Sequence, residues 1–215
     1  MHIHSLSGFE SILPQTIDGT SQWIFGKNPP YTDPNDILVE ELDYLGTELY
    51  LFELQNQKVY QPFPKEAMIY LENPVYDPLS DSFGLLRFDF LQHIIQAYQY
   101  RPLNQELTLL TTVPFEKAGD LINVRLISSP FTLIKHEIHY SRTHFLWPVE
   151  EVCQWETNEC LNYLDDQYFY TSKWVEEPED YEEVIVRERS THQIIQRQKG
   201  RRLLLPNGEY WQFVK

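Results

Sequence analysis

Acidic side chains and aromatic rings stand next to one another at several places in the sequence. Tyr31, Tyr76, Trp174 and Tyr181 lie in or beside acidic segments. Glycosidases combine a carboxylate pair with substrate-binding contacts around the scissile bond, so this mixture is compatible with a sugar site. With 32 Asp and Glu residues in the chain, however, close pairs also arise by chance, and most acids face solvent. The carboxylates considered are Asp43, Asp77, Asp81, Asp165, Asp166 and those of Glu176–Glu183.

Signatures of the common catalytic and cofactor sites are absent from the sequence. There is no GxxxxGK[ST], GxGxxG, G-x-S-x-G or H-E-x-x-H. Cys153 has no catalytic histidine in its local sequence, and Cys153 and Cys160 are predicted to be reduced structural thiols. On a strand, His136 and His139 point to opposite faces, so they do not predict a metal site. The sequence therefore predicts no catalytic residue, no cofactor and no metal ligand, and it does not favour an enzyme.

Basic side chains interrupt several apolar segments. Arg87, Lys135 and Arg187 each follow two apolar residues and precede a charged residue two places on. Arg125 lies within the apolar segment LINVRLI. A buried unpaired charge is costly, so Arg87 and Arg125 are expected to have partners. Together with Tyr31, Tyr76, Trp174 and Tyr181, they are the predicted binding residues.

The charge of the chain is strongly negative and unevenly distributed. The net charge is -15, yet residues 1–184 carry 30 acidic against 10 basic residues and residues 185–215 carry 2 against 7. An acidic body repels nucleic acid and anionic lipid, so nucleic acid is disfavoured and no membrane partner is expected. The longest apolar run is about five residues, far below the ~20 that span a bilayer. With no secretory signal visible at the N-terminus, we expect a cytoplasmic protein.

A repeat of about 48 residues organises the strands. The second strand of each predicted unit begins at residues 37, 85, 133 and 184, and an apolar residue followed by proline ends each unit. Proline belongs where a strand stops, because it cannot donate to the ladder. The repeats are placed at about 13–64, 65–115, 116–150 and 165–208 within a single domain 1–215. A possible short helix fills 149–164, where Val149, Val152, Cys160 and Leu164 recur at helical spacing.

Four repeats of four strands predict an all-β protein, a small β-propeller in the first instance. The alternatives are an antiparallel barrel or double barrel, and an α+β fold if 81–100 is helical, because Phe88, Leu91, Ile95 and Tyr98 also fall at helical spacing.

The function predicted from the sequence is non-catalytic binding. The loops or the central concavity of the repeat fold would bind a protein or a small molecule, with tyrosine and tryptophan as anchors. Two alternatives stay open. One is a hydrolase acting on a carbohydrate or small molecule with carboxylates at a cavity mouth. The other is an acidic inhibitor or mimic that occupies the groove of a basic partner. The sequence leaves the oligomeric state undetermined.

Overall fold

Short antiparallel strands joined by tight turns form four separate sheets. The structure is a computed structural model that describes residues 8–9, 12–40, 43–176, 180–204 and 209–214. The four sheets are arranged as a four-bladed β-propeller, which confirms the predicted all-β class and propeller fold. None of the helices in these ranges is long and apolar enough to cross a membrane.

The first sheet has a helix where the repeat predicts a strand. Residues 37–42 were expected to form the second strand of the first repeat, but Pro34–Val39 is the helix α1. Asp33 caps it by accepting a hydrogen bond from the Asn35 N–H at 2.7 Å, and proline occupies the first turn, where its missing N–H costs nothing. Residues 41–42 lie outside the described residues. The strands, in sheet order, are β1 (Leu13–Thr16), β2 (Trp23–Asn28), β3 (Glu48–Glu53) and β4 (Lys58–Tyr60).

The second sheet settles the helical alternative for 81–100 in favour of strands. A turn closed by His93, at φ 53, joins the two long strands of this segment, and the Asp89 carboxylate accepts the N–H groups of Leu91 and Gln92. The strands are β5 (Ile69–Leu71), β6 (Val75–Asp77), β7 (Ser82–Asp89), β8 (Ile94–Arg101) and β9 (Glu106–Pro114), in the order β5-β7-β8-β9 with β6 also paired to β7; the short helix α2 (Phe115–Ala118) follows.

The short helix expected at 149–164 is wrong, because this segment forms two strands in different sheets. Cys153 is buried while Val152 is 56% exposed, the alternation of a strand. The repeat also predicts two strands at 139–143 and 144–148, which is wrong, because these residues form a turn followed by one strand. The third sheet is β10 (Val124–Ile127), β11 (Thr132–Glu137), β12 (Arg142–Trp147) and β13 (Glu151–Gln154). The fourth is β14 (Glu159–Leu164), β15 (Tyr168–Val175), β16 (Tyr181–Glu188), β17 (Ile194–Leu204) and β18 (Tyr210–Val214).

Because the fourth sheet begins at β14, the predicted fourth repeat is out of phase by one strand. Arg87 and Lys135 lie on the second strands of their sheets, β7 and β11, as the repeat requires. Arg187 lies on the third strand, β16, and the second strand of its sheet carries Lys173 instead. The first sheet carries Lys27 on its second strand. The second strand of each sheet therefore carries a basic residue near its end, and this is the feature that the repeat preserves.

The residues divide into two units, 1–122 and 123–215, each with two sheets and its own apolar core. In the first unit, the rings of Trp23 and Phe83 join the first and second sheets at 5.3 Å. In the second unit, the rings of Phe145 and Phe169 join the third and fourth sheets at 5.6 Å. Aromatic contacts of this kind stabilise beyond their buried area, so each pair of sheets shares one core.

Candidate functional site

A cavity of about 340 Å³ opens between the third and fourth sheets of the second unit. This volume lies at the lower end of the range for pockets that hold small molecules. Two of the predicted binding residues, Arg125 on β10 and Trp174 on β15, line it together. The other lining residues are Asn123, His136, Ile138, Asn158, Glu159, Cys160 and Glu176.

Arg125 supplies a cation to this cavity, and its charge has no acidic partner among the described residues. Its Nη2 donates to the backbone carbonyl of Leu161 at 2.6 Å, which ties β10 to β14. Its Nε is buried and has no hydrogen-bond partner among the described residues, and no carboxylate there forms an ion pair with the guanidinium. Burial lowers the pKa of Arg125, but an arginine remains charged at neutral pH. The cavity therefore holds a positive charge whose guanidinium uses only part of its hydrogen-bond donors among the described residues.

His136 adds a second donor to the same wall. It is buried on β11, and its Nδ1 lies 3.0 Å from Thr143 Oγ1. That hydroxyl also accepts from the indole Nε1 of Trp155 at 2.7 Å, so its own proton is assigned to His136 Nδ1. Burial, and then the nearby Arg125, lower the pKa of His136. The ring is therefore neutral at neutral pH, with its N–H on Nε2.

The carboxylates at the cavity do not cancel the charge of Arg125. Glu159 is fully engaged by Arg187, which donates from Nε at 2.8 Å and from Nη2 at 2.7 Å, and by the Thr171 hydroxyl at 2.6 Å. Glu176 is exposed, where water and salt screen it. Trp174 supplies an aromatic surface that is 40% exposed. A guanidinium, a neutral imidazole and an indole in one cavity can bind an anionic group beside a planar apolar one.

The other four predicted binding residues lie elsewhere. Arg87 on β7 is satisfied by Gln96 at 2.5 Å, Asp89 at 3.2 Å and Glu66 at 3.3 Å. Tyr76 packs against the core of the first unit and donates to Asp81 at 2.7 Å. Tyr31 is 82% exposed. Tyr181 lies on β16 under the Lys199 ammonium, 4.0 Å from its ring centroid, in a separate groove of about 450 Å³ that Trp174 also lines.

Sequence reasoning missed His136 as part of this site, although it considered the residue as a metal ligand. The signal was present in the strand pattern, because His136 follows Lys135 in the segment LIKHE. Asn123, Asn158 and Cys160 carried no signal, since they precede or begin strands whose bounds the repeat did not predict. Their meeting is a consequence of how the third and fourth sheets pack.

Comparison with known proteins finds distant similarity to solved structures. No family model and no curated protein matches the chain. Porphyromonas gingivalis dipeptidyl peptidase 4 is 11% identical, with a TM-score of 0.40 over 78% of this chain and 26% of that one. A Bacteroides ovatus protein described as a dipeptidyl aminopeptidase IV is 9% identical, with a TM-score of 0.48 over 91% of this chain and 35% of that one. This chain thus spans a minor part of both proteins, and at these TM-scores the likeness carries no information on its activity.

Replacing Arg125 with methionine is expected to raise the free energy of unfolding by about 1–2 kcal/mol, because removing a buried charge without an acidic partner relieves a desolvation cost. Urea denaturation followed by circular dichroism measures the change. Arg87→Met is the matched control: it removes an arginine of similar burial that has three partners, and it should lower the free energy of unfolding. A loss of stability in Arg125→Met equal to that of Arg87→Met would contradict the interpretation.

Proposed function

We propose that this chain is a non-catalytic binding protein whose second unit holds a small molecule with a carboxylate beside a planar apolar group. The observation that supports the proposal is Arg125, a largely buried guanidinium that uses one hydrogen bond and has no carboxylate partner among the described residues. Burying such a charge costs stability, and proteins keep costly polar groups where binding requires them.

The composition of the cavity favours a planar carboxylate over other small molecules. A guanidinium binds a carboxylate through parallel N–H···O bonds, and the geometry of the fork selects a planar anion. Neutral His136 donates a further hydrogen bond, and the Trp174 ring covers an apolar neighbour of the carboxylate. The net charge of -15 would repel an anion at long range, so recognition rests on these short-range contacts.

The side chains of this cavity are better suited to binding a small molecule than to hydrolysing a carbohydrate. A glycosidase needs two carboxyl groups that are free to exchange protons or to attack the sugar. Glu159 has both oxygens occupied by Arg187, and one also by Thr171. Among the residues that the structure describes, Glu176 is then the one remaining carboxylate that lines the cavity, and a single group does not make the pair.

Titration with cinnamate and with its neutral analogue cinnamamide tests the proposal. Cinnamate should bind with a dissociation constant of about 1 mM, as expected for a fragment of this size, and cinnamamide at least tenfold more weakly. Isothermal titration calorimetry and quenching of tryptophan fluorescence measure both. The fluorescence change should be lost in Trp174→Phe, which keeps a ring at the cavity.

Arg125→Gln and Arg101→Gln form the variant and its matched control. Arg125→Gln should fold, because it leaves none of the described acidic side chains without its partner, and should bind cinnamate at least tenfold more weakly. Arg101 lies in the first unit and pairs with Glu106 at 3.4 Å, so Arg101→Gln should bind as the unchanged chain does. Equal binding by Arg125→Gln, or equal binding of cinnamate and its amide, would overturn the proposal.

A further inference from the structure

Glu151, Cys153 and His192 bring three metal-ligating groups together in the second unit. Glu151 and Cys153 alternate along β13, so their side chains share one face of this edge strand. His192 lies in the turn between β16 and β17 of the next sheet. The carboxylate oxygen, the thiol sulfur and the imidazole nitrogen all lie within 4.8 Å of one another. None of these residues lines the cavity of Arg125.

Both partners of His192 face the same ring nitrogen. Cys153 Sγ is 3.9 Å from His192 Nε2, and Glu151 Oε1 is 3.2 Å from the same atom. A cysteine–histidine–acid triad needs the opposite arrangement, in which the acid binds the ring nitrogen that faces away from the nucleophile. Burial, followed by the charge of Glu151, also raises the pKa of the Cys153 thiol to about 12, although Arg189 lowers it. The group is therefore not arranged as a nucleophilic triad.

Three donors that converge on one point are the arrangement of a metal site. We propose that Glu151, Cys153 and His192 bind a zinc-type divalent cation through one oxygen, one sulfur and one nitrogen. Zinc bond lengths of about 2.3 Å to sulfur and about 2.0–2.2 Å to nitrogen and oxygen place tetrahedral ligands roughly 3.3–3.6 Å apart. The observed separations of 3.2 and 3.9 Å need shifts of a few tenths of an ångström to reach that geometry.

The surroundings of His192 hold its ring in place before a metal arrives. Its backbone carbonyl accepts from Arg187 Nη1 at 3.1 Å, and its N–H donates to the Glu188 carbonyl at 2.8 Å. Its ring centroid lies 5.5 Å from that of Phe169 and 6.4 Å from that of Trp155. Partners that orient a ligand in this way raise metal affinity.

A metal ion at this site would link the third and fourth sheets and would remain accessible to solvent. Its ligands come from β13 in the third sheet and from a turn in the fourth, so a bound ion would join the two sheets of the second unit. The side chains of Glu151 and His192 are 39% and 35% exposed, so a fourth coordination position can reach water. Three protein ligands with water in the fourth position are typical of zinc sites that are not closed.

Cobalt substitution tests the site directly in the full chain, after treatment with a chelator and under reducing conditions. Co²⁺ should bind with a stoichiometry of one per chain, give intense visible bands of a tetrahedral ion and give a near-ultraviolet thiolate-to-cobalt band. Zn²⁺ should displace it and raise the melting temperature. Binding should release protons and weaken at acidic pH, because both thiol and imidazole must be deprotonated.

Cys153→Ser and Cys160→Ser together show which of the two thiols binds the metal. Cys153→Ser should lose the thiolate band and the zinc-dependent rise in melting temperature, whereas Cys160→Ser should keep both. His192→Gln keeps the thiol and should weaken binding at least tenfold, and His139→Gln, at an exposed turn, should not. If Cys153→Ser fails to fold, His192→Gln alone decides. Cobalt bound without a thiolate band, or unchanged affinity in His192→Gln, would overturn the inference.

Discussion

Replacing Glu159 with alanine is expected to lower the free energy of unfolding by about 3–5 kcal/mol, because the buried guanidinium of Arg187 loses its closest carboxylate and keeps only the longer contact with Glu156, at 3.7 Å, among the described acids. The Glu159 side chain has no exposed surface and that of Arg187 is 10% exposed. Two hydrogen bonds from Arg187, one from the Thr171 hydroxyl and one from the Glu156 N–H satisfy the carboxylate. The pair of Glu159 and Arg187 joins β14 to β16 across the intervening strand β15. A change of this size is a large fraction of the stability of an ordinary domain.

Urea denaturation measures the loss in the free energy of unfolding. A double variant separates the effect of the poorly paired Arg187 charge from the effect of lost packing. Glu159→Leu/Arg187→Met removes both charges and should recover most of the stability, since well-packed apolar residues often replace buried ion pairs at no cost. Glu106→Ala is the control for an acid of an exposed pair. It removes a carboxylate that is 52% exposed and should leave the denaturation midpoint unchanged. A double variant as unstable as Glu159→Ala would refute this explanation.

The sequence predicted the class of fold because the residue types that indicate a strand can be recognised without knowing which strands pair with one another. Aromatic and β-branched residues indicate strands wherever they stand, and the intervals between the repeats indicate blades. The strand pair β7 and β8 was predicted although Phe88, Leu91, Ile95 and Tyr98 also fit a helix. The non-glycine turn at His93, where φ is 53, lets the chain reverse without a glycine to signal it.

The phase of the repeat was not predictable from short periodic segments. The segment 149–164 holds two strands of four and six residues, and windows of this length fit helical and strand spacing equally. Once β14 was missed, β15 was taken for the first strand of its sheet, and Arg187 was matched to Arg87 and Lys135 in place of Lys173. One local error therefore displaced the first three strands predicted for the fourth repeat by one position.

The candidate sites depend on contacts between sheets, which no local pattern records. Sequence reasoning required partners for Arg87 and Arg125 alike, but the two arginines have different kinds of partner in the structure. Arg87 has Asp89 two residues away on its own strand, a partner that the sequence displays. Within the described part of the chain, Arg125 has one carbonyl from another sheet as its partner. Likewise, Cys153 and His192 are 39 residues apart, so their approach could not be read from spacing.

Replacing Gly46 with alanine is the second change with a large expected effect, a loss of more than about 3 kcal/mol in the free energy of unfolding. Its φ is +90°, which disfavours any side chain, and an added Cβ would lie 1.9 Å from the backbone oxygen of Glu66. That neighbour has little freedom to retreat. Beside it, the Met68 N–H donates to the Tyr44 carbonyl at 2.8 Å, and the Thr47 N–H donates to the Ile69 carbonyl at 2.9 Å.

Gly8→Ala separates the clash from the backbone strain. Gly8 has nearly the same φ, +88°, but a Cβ there would meet nothing within 4 Å. Gly8→Ala should therefore show only the conformational cost, about 1–2 kcal/mol. The difference between the two variants in urea denaturation measures how rigidly the segment before β3 is held against the segment before β5. Equal losses in both would mean that the Glu66 backbone moves aside, and that the hydrogen bonds flanking it do not fix the two segments.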